Sequence, residues 1–99
     1  MVGFYTKFIT EENNRDALIT ILSEATGSMH SLFECQMYIV NKDATNPKVT
    51  WVTEIWTTPE AHAASLQIED AKELIAKAMP LIIEKPEQIQ LLPISGKGL

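Results

Sequence analysis

The sequence predicts a small α+β domain in which four antiparallel strands are backed by helices on one face. The first observation is the order of periodicities along the chain: an alternating run, a stripe at helical spacing, two alternating runs, a second helical stretch and a last alternating run. The second is the seven-residue connection NKDATNP (Asn41 to Pro47), dense in turn formers and short enough to make a hairpin of the two middle strands. The third is length. Ninety-nine residues without internal repeat, low-complexity tract or compositional break make a single domain over residues 1–99. The resulting β-α-β-β-α-β order is that of the split βαβ, or ferredoxin-like, arrangement, whose right-handed crossovers place all helices on one face of the sheet.

Gly3 to Thr10 is rich in aromatic and β-branched residues, is bounded by the polar run Glu11 to Asn14, and reads as the first strand. From about Asn14 the apolar positions Ala17, Leu18, Ile21, Leu22 and Ala25 recur at helical spacing. Asn13 or Asn14 is the expected N-cap, Asp16 lies in the first turn and Gly27 is the expected stop. Leu32 to Val40 alternates Phe33, Cys35, Met37 and Ile39 against Glu34, Gln36, Tyr38 and Val40, the second strand. Lys48 to Thr57 is the third, with Val49, Trp51, Thr53 and Ile55 on one face and Thr50, Val52, Glu54 and Trp56 on the other.

Thr58-Pro59-Glu60 is a helix start: a hydroxyl N-cap, a proline at the first helical position and an acid at the positive end of the dipole. The helix it opens carries only small residues at Ala61, Ala63, Ala64 and Ser65. Asp70 with Glu73 has the spacing of a capping box for a further helix through Ala71, Leu74, Ile75 and Ala78, which Pro80 ends near Ala78 or Met79. Gln88 to Ile94 reads as a last strand at a sheet edge, because Pro93 cannot donate to a ladder. Ser95 to Leu99 carries no pattern.

Helices from one chain cover one side of the sheet, yet the second and third strands are apolar on both. The uncovered side predicts a homodimer packed sheet to sheet. A net charge of -5 with no basic run disfavours nucleic acid and anionic membranes as partners, and no apolar stretch approaches the roughly 20 residues of a membrane span. The chain opens MVGFYTKFITEENN, without the basic and apolar regions of a signal peptide, and Cys35 is its one cysteine, so a reducing cytoplasm is the expected location.

The candidate chemistry lies in VTWVTEIWTTPEAHAASL (Val49 to Leu66). Alternation sets Glu54 beside Val52 and Trp56 on a face expected to be buried, where desolvation raises a carboxylate toward the range of a general base. An ordinary ion pair at the sheet end is the competing reading. His62, in the first turn of the following helix, could face back onto the sheet and move protons near pH 7, or be a surface histidine. Trp56 could wall a pocket for a flat aromatic ligand, with core packing as the alternative, and Tyr38 and Tyr5 could each donate a phenolic hydrogen bond into it. Glu34 near a strand start and His30 in the loop SMHS read as bystanders, and Cys35, in phase with Phe33, Met37 and Ile39, as a buried inert thiol. No histidine or cysteine spacing suits a metal, and no GxGxxG, Walker or GxSxG motif is present, so no metal or cofactor is expected.

Tyr38, the Asp43 to Pro47 turn, the Glu54-x-Trp56 pair and TTPEAHAAS together resemble the antibiotic biosynthesis monooxygenase domain family, of the dimeric α+β barrel class. The resemblance spans nearly the whole chain in element order, and its most specific part is the strand E-x-W followed by the Pro-Glu-Ala helix start. It implies a homodimer with facing sheets and a pocket in each subunit between sheet and helices. It also implies one of the family's activities: cofactor-independent oxygenation of phenolic or quinol-type molecules, haem degradation, or isomerisation or degradation of small signalling molecules. Many relatives carry a histidine eleven residues after the motif glutamate, where this chain has Ser65, leaving His62, three residues earlier on roughly the same helix face, to take that role. No later histidine offers the ligand that haem would use. The expected function is therefore a small cofactor-independent monooxygenase acting on an aromatic, phenolic or quinol-type molecule, with Glu54 and His62 catalytic and Trp56, Tyr38 and Ser65 binding substrate. The alternatives are a non-catalytic dimeric ligand-binding module and an isomerase or degrader of a small signalling molecule.

Overall fold

A computed structural model describes residues 1–29 and 31–99 of the chain; His30 lies outside the described residues. Its elements are β1 (Val2–Ile9), a 3-10 turn over Glu12–Asn14, α1 (Arg15–Met29), β2 (Cys35–Lys42), β3 (Val49–Trp56), α2 (Pro59–Ser65), α3 (Glu69–Ala78), a second 3-10 turn over Met79–Leu81, and β4 (Glu87–Leu91). The strands form one antiparallel sheet in the order β2-β3-β1-β4, with the helices on one side, so the predicted α+β, ferredoxin-like topology is the observed one.

The register sorts residues onto two faces. Val2, Phe4 and Thr6 pair with Trp56, Glu54 and Val52, and all six side chains are buried beneath the helices. The opposite face carries Tyr5, Met37, Ile39, Ile89 and Leu91, each at least 40% exposed. The core beneath the helices is Val2, Phe4 and Trp56, with Met29, Leu32, Cys35 and Ala61 packed against it.

Four local expectations are corrected. The second strand begins at Cys35 rather than Leu32, because the Leu32 amide donates to the Met29 carbonyl and the Cys35 amide to the Leu32 carbonyl, a turn that leaves Phe33 95% exposed. Within β2 a bulge at Gln36 lets Cys35 pair with Trp56 and Met37 with Ile55, so the thiol joins the helix-side core and leaves the face of Met37 and Ile39. One unpaired residue shifts every alternation count that crosses it. Gly27 does not stop α1; it sits exposed inside the helix, and the two further residues bring Met29 onto the core, a burial that outweighs the ~1 kcal/mol penalty of an interior glycine. The Asp70–Glu73 capping box does not form, since Ile68 is the N-cap of α3 and Asp70 already lies in its first turn.

Other boundaries follow their local chemistry. The Thr58 hydroxyl accepts the Ala61 amide at 3.1 Å and Pro59 opens α2. Pro80 closes α3 at Ala78. β4 is an edge strand as expected, though it ends at Leu91 and leaves Pro93 outside it. The hairpin is held by Asp43, whose Oδ1 accepts the Thr45 and Asn46 amides at 3.0 Å and whose Oδ2 accepts the Trp51 indole N–H at 2.9 Å. These bonds hold the Asp43 carboxyl well below the usual carboxylate range, the indole bond contributing most.

Candidate functional site

The space between sheet and helices is a cavity of about 240 Å³. Its walls are aliphatic: Ile21, Leu22 and Ala25 come from α1, and Leu74, Ile75 and Ala78 from α3. Its floor is the sheet, where β1, β2 and β3 present Thr6, Tyr38, Val52 and Glu54, and α2 closes one end with His62 and Ser65. A mostly apolar hollow with a few convergent polar groups has the make-up of a small-molecule site, and its volume falls just under the usual ~300 to 1,000 Å³ of drug-sized ligands.

Glu54 is 7% exposed and rests on a framework of aromatic rings. Its Oε1 accepts the Trp56 indole N–H at 3.1 Å, a contact possible because the two residues are i and i+2 on one strand face. The same oxygen lies 3.7 Å from His62 Nε2. The His62 ring is clamped in turn, stacked on Phe4 with centroids 4.0 Å apart and an interplanar angle of 23°, and set edge-on to Trp56 at 5.5 Å. The Thr58 cap and Pro59 fix where α2 starts, and therefore where His62 falls above the sheet.

Burial drives the two titrating groups in opposite directions. Desolvation raises Glu54 above its ordinary value, opposed in part by the Trp56 hydrogen bond. Desolvation lowers His62. Both shifts disfavour the charged forms, and at 3.7 Å the two groups face each other without a hydrogen bond between them. Tyr38, directly opposite Glu54 on β2, is pushed well above the ordinary phenol range by burial first, then by the Glu54 and Cys35 charges, and stays a protonated donor. Burial and Glu54 likewise raise the Cys35 thiol, which has none of the character of a nucleophile.

The structure thus brings Glu54, His62, Tyr38 and Ser65 to one cavity. Ser65 is 4% exposed, and its hydroxyl donates to the His62 carbonyl at 2.6 Å, so it can only accept from a ligand. Trp56 does not line the cavity: at 1% exposure it lies in the core behind Glu54, where it sets the carboxylate. Tyr5 points to the uncovered face, 42% exposed, and is removed from the site. Phe4, the platform for the imidazole, and Thr6 and Gln88, polar groups on the floor and at the rim, were not anticipated. The signal was there in alternation, since Phe4, Thr6 and Phe8 share a phase that puts a hydroxyl between two aromatics on one strand face. Among the described residues no group of three or more His, Cys, Asp or Glu side chains is placed to hold a metal ion, and no helix is long and apolar enough to cross a membrane.

No protein-family model matches the sequence, and no curated protein does. Solved structures do. A crystal structure from Chloroflexus aurantiacus J-10-fl, described as a candidate antibiotic biosynthesis monooxygenase, is 36% identical with a TM-score of 0.86, over 98% of this chain and 96% of that one. Proteins from Caulobacter crescentus CB15 and Deinococcus radiodurans, described in the same terms, share the fold at 14% and 16% identity, with TM-scores of 0.87 and 0.84. The first covers 95% of this chain and 90% of its own, the second 100% and 98%. With more than a third of its residues shared with one such protein over almost the full length of both, this chain belongs to the antibiotic biosynthesis monooxygenase family.

Proposed function

We propose that the protein is a homodimeric, cofactor-independent monooxygenase that oxidises a small phenolic or quinol-type ring held in the cavity above Glu54. The observation that carries this reading is the desolvated Glu54 carboxylate, fixed by the Trp56 N–H at 3.1 Å beside His62 at 3.7 Å, at the polar end of an otherwise apolar cavity. The relatives described as monooxygenases support the reaction class.

In this mechanism the substrate supplies all the electrons. The Glu54 oxygen not engaged by Trp56 takes the phenolic proton, and its raised pKa makes it the stronger base for that step. The phenolate, deprived of water by the aliphatic walls, gives electrons to dioxygen through its ring carbon. One oxygen atom forms the new C–O bond. The second leaves as water with two protons, the one held by Glu54 and the one displaced from the ring carbon. A phenol plus dioxygen thus yields a quinone plus water, four electrons passing from ring to oxygen, and Glu54 returns to its starting state. His62, kept neutral by burial, relays the proton to and from Glu54. Tyr38 donates to the substrate oxygen. General-base assistance is worth about 10²- to 10⁴-fold.

The exposed apolar face, with Tyr5, Met37, Ile39, Ile89 and Leu91, is the surface proposed to pair two copies sheet to sheet. A second reading, ligand binding without turnover, is favoured by Ser65, whose hydroxyl is engaged to the backbone at the position where many relatives carry a histidine. Oxygen uptake with 1-naphthol separates the two. Wild type consuming one dioxygen per quinone formed, with Glu54→Gln reduced at least 10²-fold, supports oxygenation; wild type that binds the naphthol without uptake supports the second reading.

A further inference from the structure

The cavity floor carries a second polar pole that the reaction at Glu54 does not use. Thr6 on β1 is 7% exposed and lines the cavity, and its hydroxyl oxygen accepts the Gln88 side-chain amide at 3.0 Å. Gln88, on the neighbouring edge strand β4, also lines the cavity. With its oxygen occupied by that bond, the Thr6 hydroxyl makes no other side-chain hydrogen bond among the described residues, so its own hydrogen is free to donate inward. Gln88 retains a second amide hydrogen. This end of the floor therefore presents donors.

The other end combines acceptors with the Tyr38 hydroxyl, a donor. Glu54 has an oxygen not engaged by Trp56, and His62 is held in its neutral form. The separation of the two ends follows from register. Thr6 pairs with Val52, two residues from Glu54 on the same face, so Thr6 and Glu54 are diagonal neighbours with side chains rooted ~7 to 8 Å apart. The two poles therefore stand far enough apart to meet different substituents of one ring. Between the poles the floor is Val52 and the walls are aliphatic.

We infer that Thr6 and Gln88 form a carbonyl-recognition subsite, and that the cavity selects rings bearing a hydroxyl donor at the Glu54 end and a carbonyl acceptor at the far end. This rests on the proposed reading of the cavity as a substrate site and narrows its substrate class to hydroxyaryl ketones and hydroxylated quinones. A phenol with an apolar para substituent leaves the Thr6 and Gln88 donors unpaired, and a hydrogen bond of that kind corresponds to about three- to tenfold in affinity.

The test is binding, not turnover. The probes are 4-hydroxyacetophenone and 4-ethylphenol, which match in shape and differ by the carbonyl, measured by calorimetry against wild type, Thr6→Val and Gln88→Leu. Wild type should bind the ketone about three- to tenfold more tightly, and Thr6→Val should erase that preference. Gln88→Leu, at an exposed edge position where folding is not at stake, should reduce the preference as well. Equal affinities in wild type, no measurable binding of either probe, or a preference that survives both substitutions overturns the inference. Loss of oxygen uptake with the preference intact would count against the oxygenase reading alone, because binding needs no electron transfer.

Discussion

Replacing Trp56 by phenylalanine separates its role as holder of the carboxylate from a role in contacting substrate. The indole N–H reaches Glu54 Oε1 at 3.1 Å, and Trp56 itself is 1% exposed and absent from the cavity wall. A hydrogen bond to an ionised group contributes ~1.5 to 3 kcal/mol. Its removal should raise Glu54 further, in the direction burial already pushes it. The smaller ring keeps most of its contacts with Val2 and Phe4, so the loss of fold stability should stay below the ~3 to 5 kcal/mol of truncation to alanine. The assay is a carbon NMR titration of the Glu54 carboxyl in wild type and variant, paired with the pH profile of binding or turnover. Under this account the carboxyl midpoint moves up in Trp56→Phe, the acid limb of the profile moves with it, and affinity for the ring changes little. An unmoved midpoint with weakened binding would refute the reasoning and restore Trp56 as a substrate contact.

Ser65→Leu should push a side chain from α2 into the cavity and abolish probe binding without altering oligomeric state; parent-like binding would contradict the placement of the site. Sedimentation at micromolar concentration should give about twice the 11.1 kDa chain mass, with a melting temperature that climbs with protein concentration, and a clean monomer would remove the sheet-to-sheet dimer. Gly27→Ala, at an exposed interior helix position with nothing within 4 Å of the added carbon, should stabilise the fold by ~0.5 to 1 kcal/mol, seen as a melting temperature a few degrees higher. The pH dependence of stability should carry two opposed contributions. The raised Glu54 stabilises below its ordinary value of 4.5 and loses that contribution as pH rises through its folded pKa. The lowered His62 contributes fully above 6.5 and loses it as pH falls toward its folded pKa. Glu54→Gln should delete the first limb only, and a variant in which both limbs persist would contradict the assignment.

How much of this was legible in the sequence depends on whether a feature is local. The helix start at Thr58-Pro59 and the end of α3 before Pro80 are set by single residues with fixed backbone demands, and they could be read directly, whereas β4 takes the edge position without Pro93, which lies beyond the strand. Glu54 and Trp56 sharing a face needed only the two-residue period of β3, which contains no bulge. Cys35 was misplaced because the extra residue at Gln36 has no signature of its own; the bulge follows from how β2 meets β3 near Trp56. Gly27 misled for a similar reason, since its local preference to end a helix is weaker than the tertiary gain of seating Met29. The site divided along the same line. Residues on β3 and α2 lie within one continuous stretch and could be grouped by period, whereas Thr6 and Gln88 are 82 residues apart and meet only through sheet order. Trp56 was placed on the correct face with pocket wall and core packing both open, because alternation says which side a ring takes and not whether it ends in a cavity or behind one; it lies behind, in the core.

The central claim is that a ring held over Glu54 gives its own electrons to dioxygen, and labelled oxygen tests it most directly. Turnover of 1-naphthol under ¹⁸O₂, followed by mass spectrometry of the quinone, should show one labelled oxygen atom in the product and the other in water, with label incorporation falling at least 10²-fold in Glu54→Gln. Quinone carrying no label, or label that enters at the same rate with Glu54→Gln as with wild type, would contradict the account.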